Sequence, residues 1–230
     1  MRAWLKWMVL CALVTGLGSI AGCNFFGVAA TVVSPPELVE AKYELPDKMT
    51  LVVVDDPRRL VNNETALRQI ASGTRAILEI EEVNEEGGFV GQDELAAYRE
   101  ELGEAYKTTS LAALGLHLGA RQVVHVEVTG FQMELGGNVI RPAVSMNVKV
   151  FDLDERTRVF PPAVDPDTGI DAGETVFPVL SQLPATDTSG QSATRSIAIR
   201  NLADRAARDV ARLFFDWRMP APGSTLGEPQ

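Results

Sequence analysis

His125 and Glu127 stand two residues apart in the alternating run Gln122 to Glu134, so on a strand both side chains would lie on one face. A histidine oriented by a carboxylate is the smallest acid–base pair, and a hydrolase built on His125 and Glu127 is one reading of the chain. Side chains that pack against a helix or face water are the other. His117 is the only further histidine, and neither an HxH nor an HExxH spacing occurs. The three or four convergent ligands that a metal needs are therefore not supplied. Asp55 and Asp56 end an apolar run and offer adjacent carboxylates for magnesium, against the simpler account of an acidic strand end. Glu79, Glu81, Glu82, Glu85 and Glu86 lack the spacing of an EF-hand loop and read as a solvated helix end. No serine sits in a GxSxG elbow and no P-loop is present; Gly115 and Gly119, four apart, read as closing a helix. No catalytic set, metal or cofactor is assigned.

Cys23 carries a different chemistry. Residues 1 to 22 have a basic start at Arg2 and Lys6, an apolar run from Trp7 to Leu17, and small residues before a cleavage point. The segment Ser19-Ile20-Ala21-Gly22-Cys23 resembles the lipobox of bacterial lipoproteins. That resemblance implies a diacylglycerol on the Cys23 sulfur and cleavage before it. Two or three acyl chains hold a protein to a bilayer where one is marginal, since each buried methylene contributes about 0.8 kcal/mol. The apolar stretch is shorter than the roughly 20 residues a spanning helix needs. The expected location is thus the cell envelope, lipid-anchored to the inner or outer membrane, with the domain on the periplasmic or extracytoplasmic side. Cys11 leaves with the signal, so no cysteine remains to form a disulfide. Removing Arg2 and Lys6 from 21 basic residues leaves 19 against 31 acidic ones, a net charge of −12. Such a balance disfavours nucleic acid and direct adhesion to anionic lipid.

The elements follow from periodicity. Residues 23 to 46, with Pro35 and Pro36 and no amphipathic period, read as a lipidated tether of about 25 Å end to end. Residues 47 to 218 read as one α/β domain. Its first strand is the continuous apolar run Leu51 to Val54, stopped by Pro57. A helix capped by Asn62 or Asn63 repeats Leu67, Ile70, Ala71, Thr74, Ile77 and Leu78. Phe89-Val90 is a second strand or its stub. A split helical layer carries Leu95, Tyr98, Leu102, Ala105 and Tyr106, then Leu111, Leu114 and Leu118 behind a Ser110 cap. Gln122 to Glu134 and Val139 to Leu153 form an antiparallel hairpin around Gly136-Gly137-Asn138, with Pro142 at an edge or a bulge. A long helix from Ser196 to Trp217 closes the domain, and residues 219 to 230 read as a disordered tail. The expected fold is α/β, a mixed sheet with an antiparallel hairpin packed by amphipathic helices.

Gly115 to Val128 resembles the "lGA.yvv.gev" strand entry of the periplasmic lipoproteins related to CsgG, to the penicillin-binding-protein activator LpoB and to the amino-terminal domain of TolB. Phe151-Asp152-Leu153-Asp154 resembles their "vDv.tg" strand end, and Ala203 to Trp217 their closing helix. The resemblance implies a non-enzymatic module that binds, assembles or activates another envelope protein. A secretion-pore subunit is the alternative it suggests, although residues 161 to 194 lack the alternating membrane hairpins that a pore needs. That segment, rich in Pro, Asp, Thr, Ser and Gly, reads as an insertion with no packing reason. Within it only Thr175 to Leu183 is apolar enough to pair or pack, and Val176, Phe177, Val179 and Leu180 are read as a partner-binding surface, by strand addition or by laying into a groove, with a disordered solvent-facing loop as the equal alternative. The oligomeric state stays open.

Overall fold

Alternating and continuous apolar runs both become strands of one sheet, and the three-four repeats become the helices that cover it. The computed structural model describes residues 37–136, 139–162, 175–187 and 193–219. The signal, Cys23, the turn residues Gly137 and Asn138, much of the insertion and the tail from residue 220 lie outside them. In chain order the elements are β1 (Leu38–Val39), β2 (Thr50–Asp55), α1 (Glu64–Ile80), α2 (Gln92–Leu102), a 3-10 segment (Gly103–Thr108) and α3 (Leu111–His117). There follow β3 (Gln122–Gly136), β4 (Val139–Asp152), β5 (Thr157–Phe160), β6 (Phe177–Gln182), β7 (Thr186–Asp187), α4 (Ala193–Ala211) and β8 (Trp217–Arg218).

The described residues divide into two units, one within Ala41–Phe215 and the other holding residues 37–40 and 216–219. In the larger, β2 lies parallel to β3, β3 is antiparallel to β4, and the far edge of β4 pairs in turn with β5, β6 and β7. This is the mixed α/β sheet with a long hairpin that the alternation implied. Phe89 forms only a single parallel bridge, to Thr50, so the second strand is a stub.

Val52 and Val54 of β2, Val124, Val126 and Val128 of β3, and Val144, Met146, Val148 and Val150 of β4 make one buried face under α1 and α4. Leu51, Val53 and Val123 make the other, under Leu95 of α2 and Leu114 of α3. A strand covered on both sides reads as a continuous apolar run, which is why β2 shows no alternation. α1 starts where Asn63 Oδ1 accepts the Ala66 amide at 3.0 Å, and α3 where Ser110 Oγ accepts the Ala113 amide at 3.1 Å. The two long helices approach so closely that a Cβ on Gly73 would lie 2.9 Å from that of Ala207. Gly115 does not close α3: it is buried within it, and a Cβ there would meet Leu153 Cδ1 at 2.6 Å. Gly119, at φ +75°, adopts the left-handed conformation that follows a helix end.

Three boundaries differ from the sequence reading. The last helix ends at Ala211, not Trp217, because the chain turns to offer the Leu213 carbonyl to the amides of Lys42 (2.7 Å) and Tyr43 (3.1 Å). For the same reason the tether does not reach residue 46. Leu45 is buried, and Tyr43 joins a cluster in which its ring lies 5.4 Å from Phe160, which in turn lies 5.3 Å from Phe177 and 6.3 Å from Phe214. The insertion contributes a strand: β6 pairs with β4 from Ala143↔Gln182 to Val148↔Phe177, with Val179 and Ser181 buried. Pro142 lies on the central strand opposite the register shift between Gln132 and Glu134, a bulge as expected, and beyond the last residue of β6.

The smaller unit holds a two-stranded ribbon, with β1 antiparallel to β8 (Leu38↔Arg218, Val39↔Trp217) and the Met219 amide donating to the Glu37 carbonyl at 2.8 Å.

Candidate functional site

Parallel pairing of β2 with β3 sets Val53 beside His125 and Asp55 beside Glu127. The carboxylate that meets His125 is therefore Asp55, not Glu127: His125 Nε2 and Asp55 Oδ2 are 3.1 Å apart, and the His125 side chain is largely buried. Asp55 Oδ1 accepts the Tyr106 hydroxyl at 3.2 Å and faces Arg99 Nη2 at 3.5 Å, while the Arg99 guanidinium sits 4.7 Å above the Tyr106 ring. Burial pushes the Asp55 carboxyl up, but the hydrogen bond and charge of His125, the charge of Arg99 and the Tyr106 hydroxyl outweigh it and leave the group below the usual carboxylate range. Burial, then the Asp55 charge, pushes the Tyr106 hydroxyl up to about 12. His117, the other histidine, stacks on Tyr98 with ring centroids 3.8 Å apart and planes 7° from parallel.

This cluster joins the sheet to the α2 layer through one anion with three donors. As chemistry it is a histidine–carboxylate pair without a nucleophile: among the described residues no hydroxyl or thiol hydrogen-bonds to His125. Glu127 is half-buried on the same face and stands outside the pair. Arg99 and Tyr106 were not singled out in the sequence, and only the amphipathic stripe that includes Tyr106 hinted at it.

Asp56 has a different task. Its carboxylate accepts the amides of Leu60 (2.8 Å), Val61 (2.8 Å) and Asn62 (3.3 Å), folding residues 56 to 62 into a tight loop with Arg59 and Asn62 at positive φ. A donor-saturated carboxylate of this kind is a loop organiser. Among the described residues no group of three or more His, Cys, Asp or Glu is placed to hold a metal ion. The loop forms one wall of a cleft of about 570 Å³. Leu60, Val61, Phe131, Met133 and Ile199 supply apolar surface, and Asn62, Asn63 and Arg195 the polar rim.

The residues read as a partner surface divide. Val179 is buried in the core, Phe177 packs on Phe160, and Val176 is half-buried just before β6. Leu180 points outward and is 66% exposed. The Leu183 amide donates to the Pro142 carbonyl at 2.9 Å, so by alternation the polar backbone groups of Ser181, Val179 and Phe177 face β4. Those of Gln182, Leu180 and Pro178 face away, and among the described residues no strand pairs with that edge. Cys23 lies outside the described residues.

With the fold and these groups in view, the class is an α/β domain with a mixed, hairpin-centred sheet. No family model and no curated protein matches the chain. Among solved structures it is similar to a dodecamer of a PelC point variant from Paraburkholderia phytofirmans, at 10% identity and TM-score 0.40, over 79% of this chain and 99% of that one. It is similar to lipoprotein GNA1162 from Neisseria meningitidis at 11% identity and TM-score 0.40, over 70% and 99%. A minor lipoprotein from Acinetobacter baumannii follows at 8% identity and TM-score 0.34, over 71% and 89%. At these values the likenesses assign no activity, partner or oligomeric state. None of the three is a CsgG, LpoB or TolB protein, so that finer resemblance rests on its motifs. No helix among the described residues is long and apolar enough to cross a membrane.

Proposed function

We propose that the chain is a lipid-anchored cell-envelope protein that does no chemistry of its own and binds or helps to assemble another envelope protein. The anchor rests on the lipobox ending at Cys23. The binding reading is carried by one observation, the outer edge of β6. There the amides of Leu180 and Gln182 face away from β4, and the Leu180 side chain stands 66% exposed beside them. An extended segment of a partner can add to such an edge, gaining main-chain hydrogen bonds and one apolar contact. The Asp55 cluster supports the non-enzymatic half of the proposal, since its groups are occupied with one another across two layers of the fold.

A photo-crosslinking amino acid at position 180 in intact cells tests the surface, with position 80 as control because Ile80 is 77% exposed. The expected outcome is one discrete envelope-protein adduct from 180 that is missing from 80. Identical adduct patterns from both positions, or none from 180, would place the binding surface elsewhere.

A further inference from the structure

β3 outruns its parallel neighbour. β2 stops at Asp55, opposite Glu127, whereas β3 continues to Gly136. The Gln122 amide donates to the Met49 carbonyl at 3.2 Å, so by alternation the main-chain groups of Val124, Val126 and Val128 face β2. The next donor in that ladder is residue 57, and Pro57 has no N–H to give. Past the register shift between Val128 and Gly130, Phe131 lies opposite Val144. Pro142 and Val144 turn their main-chain groups to β6, so the Phe131 amide and carbonyl face the track that β2 has left. Among the described residues no strand pairs with β3 there. The outer edge of β2, by contrast, is closed. The Thr50 amide donates to the Gly88 carbonyl, the Val90 amide to the Thr50 carbonyl and Gln92 Nε2 to the Val52 carbonyl.

The cleft of about 570 Å³ opens on the vacated track, with Phe131 in its lining. We infer that it is a second docking surface, a strand-addition site for an extended, acidic segment of another protein, independent of the β6 edge. Unpaired main-chain donors and acceptors along a strand are met by another extended chain, not by a lipid tail or a small apolar ligand. A segment bonded to Phe131 turns alternate side chains between Val61 of the loop and Ile199 of α4, so an apolar residue is held there. Charge sets its neighbours. Arg58 and Arg59 stand exposed in the loop and Arg195 lines the cleft, against Glu64 at the start of α1 and Asp56, whose oxygens are taken up by amides. In a chain of net charge −10 this local surplus of arginine favours a segment with carboxylates on either side of its apolar residue.

A library of random peptides displayed on phage is selected against the full-length protein in detergent. The consensus is then synthesised unmodified and with N-methyl groups on one or the other alternate set of residues. The expected consensus is an apolar residue flanked by Asp or Glu. Hydrogen exchange read by mass spectrometry should show slowed amides around Phe131 on binding, with Phe177 to Gln182 unchanged. Methylation of one alternate set should weaken binding about tenfold, as the loss of one or two main-chain hydrogen bonds does, and methylation of the other set should not. Arg58→Glu should weaken binding at an unchanged melting temperature. The inference is overturned by the lack of a consensus, by a basic one, by protection confined to β6, by equal binding of both methylated peptides, or by unweakened binding to Arg58→Glu. Protection around Phe131 without peptide overturns it as well: a rise with protein concentration assigns the cleft to a second copy, and protection at every concentration assigns it to the chain itself.

Discussion

Asp55 gathers donors from a strand, a helix and a 3-10 segment, so its loss is felt in both layers at once. A hydrogen-bonded charge at such a position contributes about 1.5 to 3 kcal/mol, and Asp55→Asn should cost that much at neutral pH by chemical denaturation. The pH dependence has a defined sign. A carboxyl held below its unfolded value stabilises the fold fully above about pH 4 and loses that contribution as the pH falls through the lowered value. Wild-type stability should therefore fall more steeply below pH 4 than that of Asp55→Asn; parallel acid limbs would exclude Asp55 as a stabilising anion. Tyr106 runs the opposite way. Raised to about 12, it stabilises the neutral form up to about pH 10 and loses this between 10 and 12. An ultraviolet titration of the folded protein should show a phenol ionising near 12 that is missing in Tyr106→Phe. The chemistry-bearing residues His125 and Asp55 were both visible in the sequence, but their pairing was not. Glu127 was the local candidate, whereas Asp55 reaches His125 through parallel register, which is fixed by two strands seventy residues apart.

Among the elements, those with an unbroken period were legible: α1, the β3–β4 hairpin and most of α4 follow directly from three-four and two-residue repeats. β6 was not, because only Val179 among its inward residues is a buried hydrophobe, while Ser181 is buried through a hydrogen bond from its Oγ to Asp209 Oδ2 at 2.9 Å. A six-residue strand with a proline, an exposed leucine and a buried serine has apolar residues but no alternation that marks its inward face. Its membership of the sheet makes a sharp expectation: deleting residues 164 to 190 should abolish the cooperative melting transition, since it removes the β4–β6 ladder. A deletion variant that melts like wild type would return the segment to the status of a dispensable insertion. The C-terminal end of α4 is equally committed. Phe214 is buried against Phe160, so Phe214→Ala should cost about 3 to 5 kcal/mol in denaturant titrations, a large share of a domain's stability. An unchanged midpoint would show the helix end to be a free arm.

For the whole molecule, the proposal is that an α/β domain is joined to a membrane through the modified sulfur of Cys23. With residues 1 to 22 removed the acidic balance disfavours spreading on anionic lipid, so the proposed attachment rests on Cys23. The most direct measurement is metabolic labelling with radioactive palmitate of the wild-type protein and of Cys23→Ser, followed by separation of precursor and processed forms. The account predicts label in the wild type alone, and accumulation of an unlabelled, uncleaved precursor in the variant. Equal label in both proteins, or normal cleavage of Cys23→Ser, would contradict it.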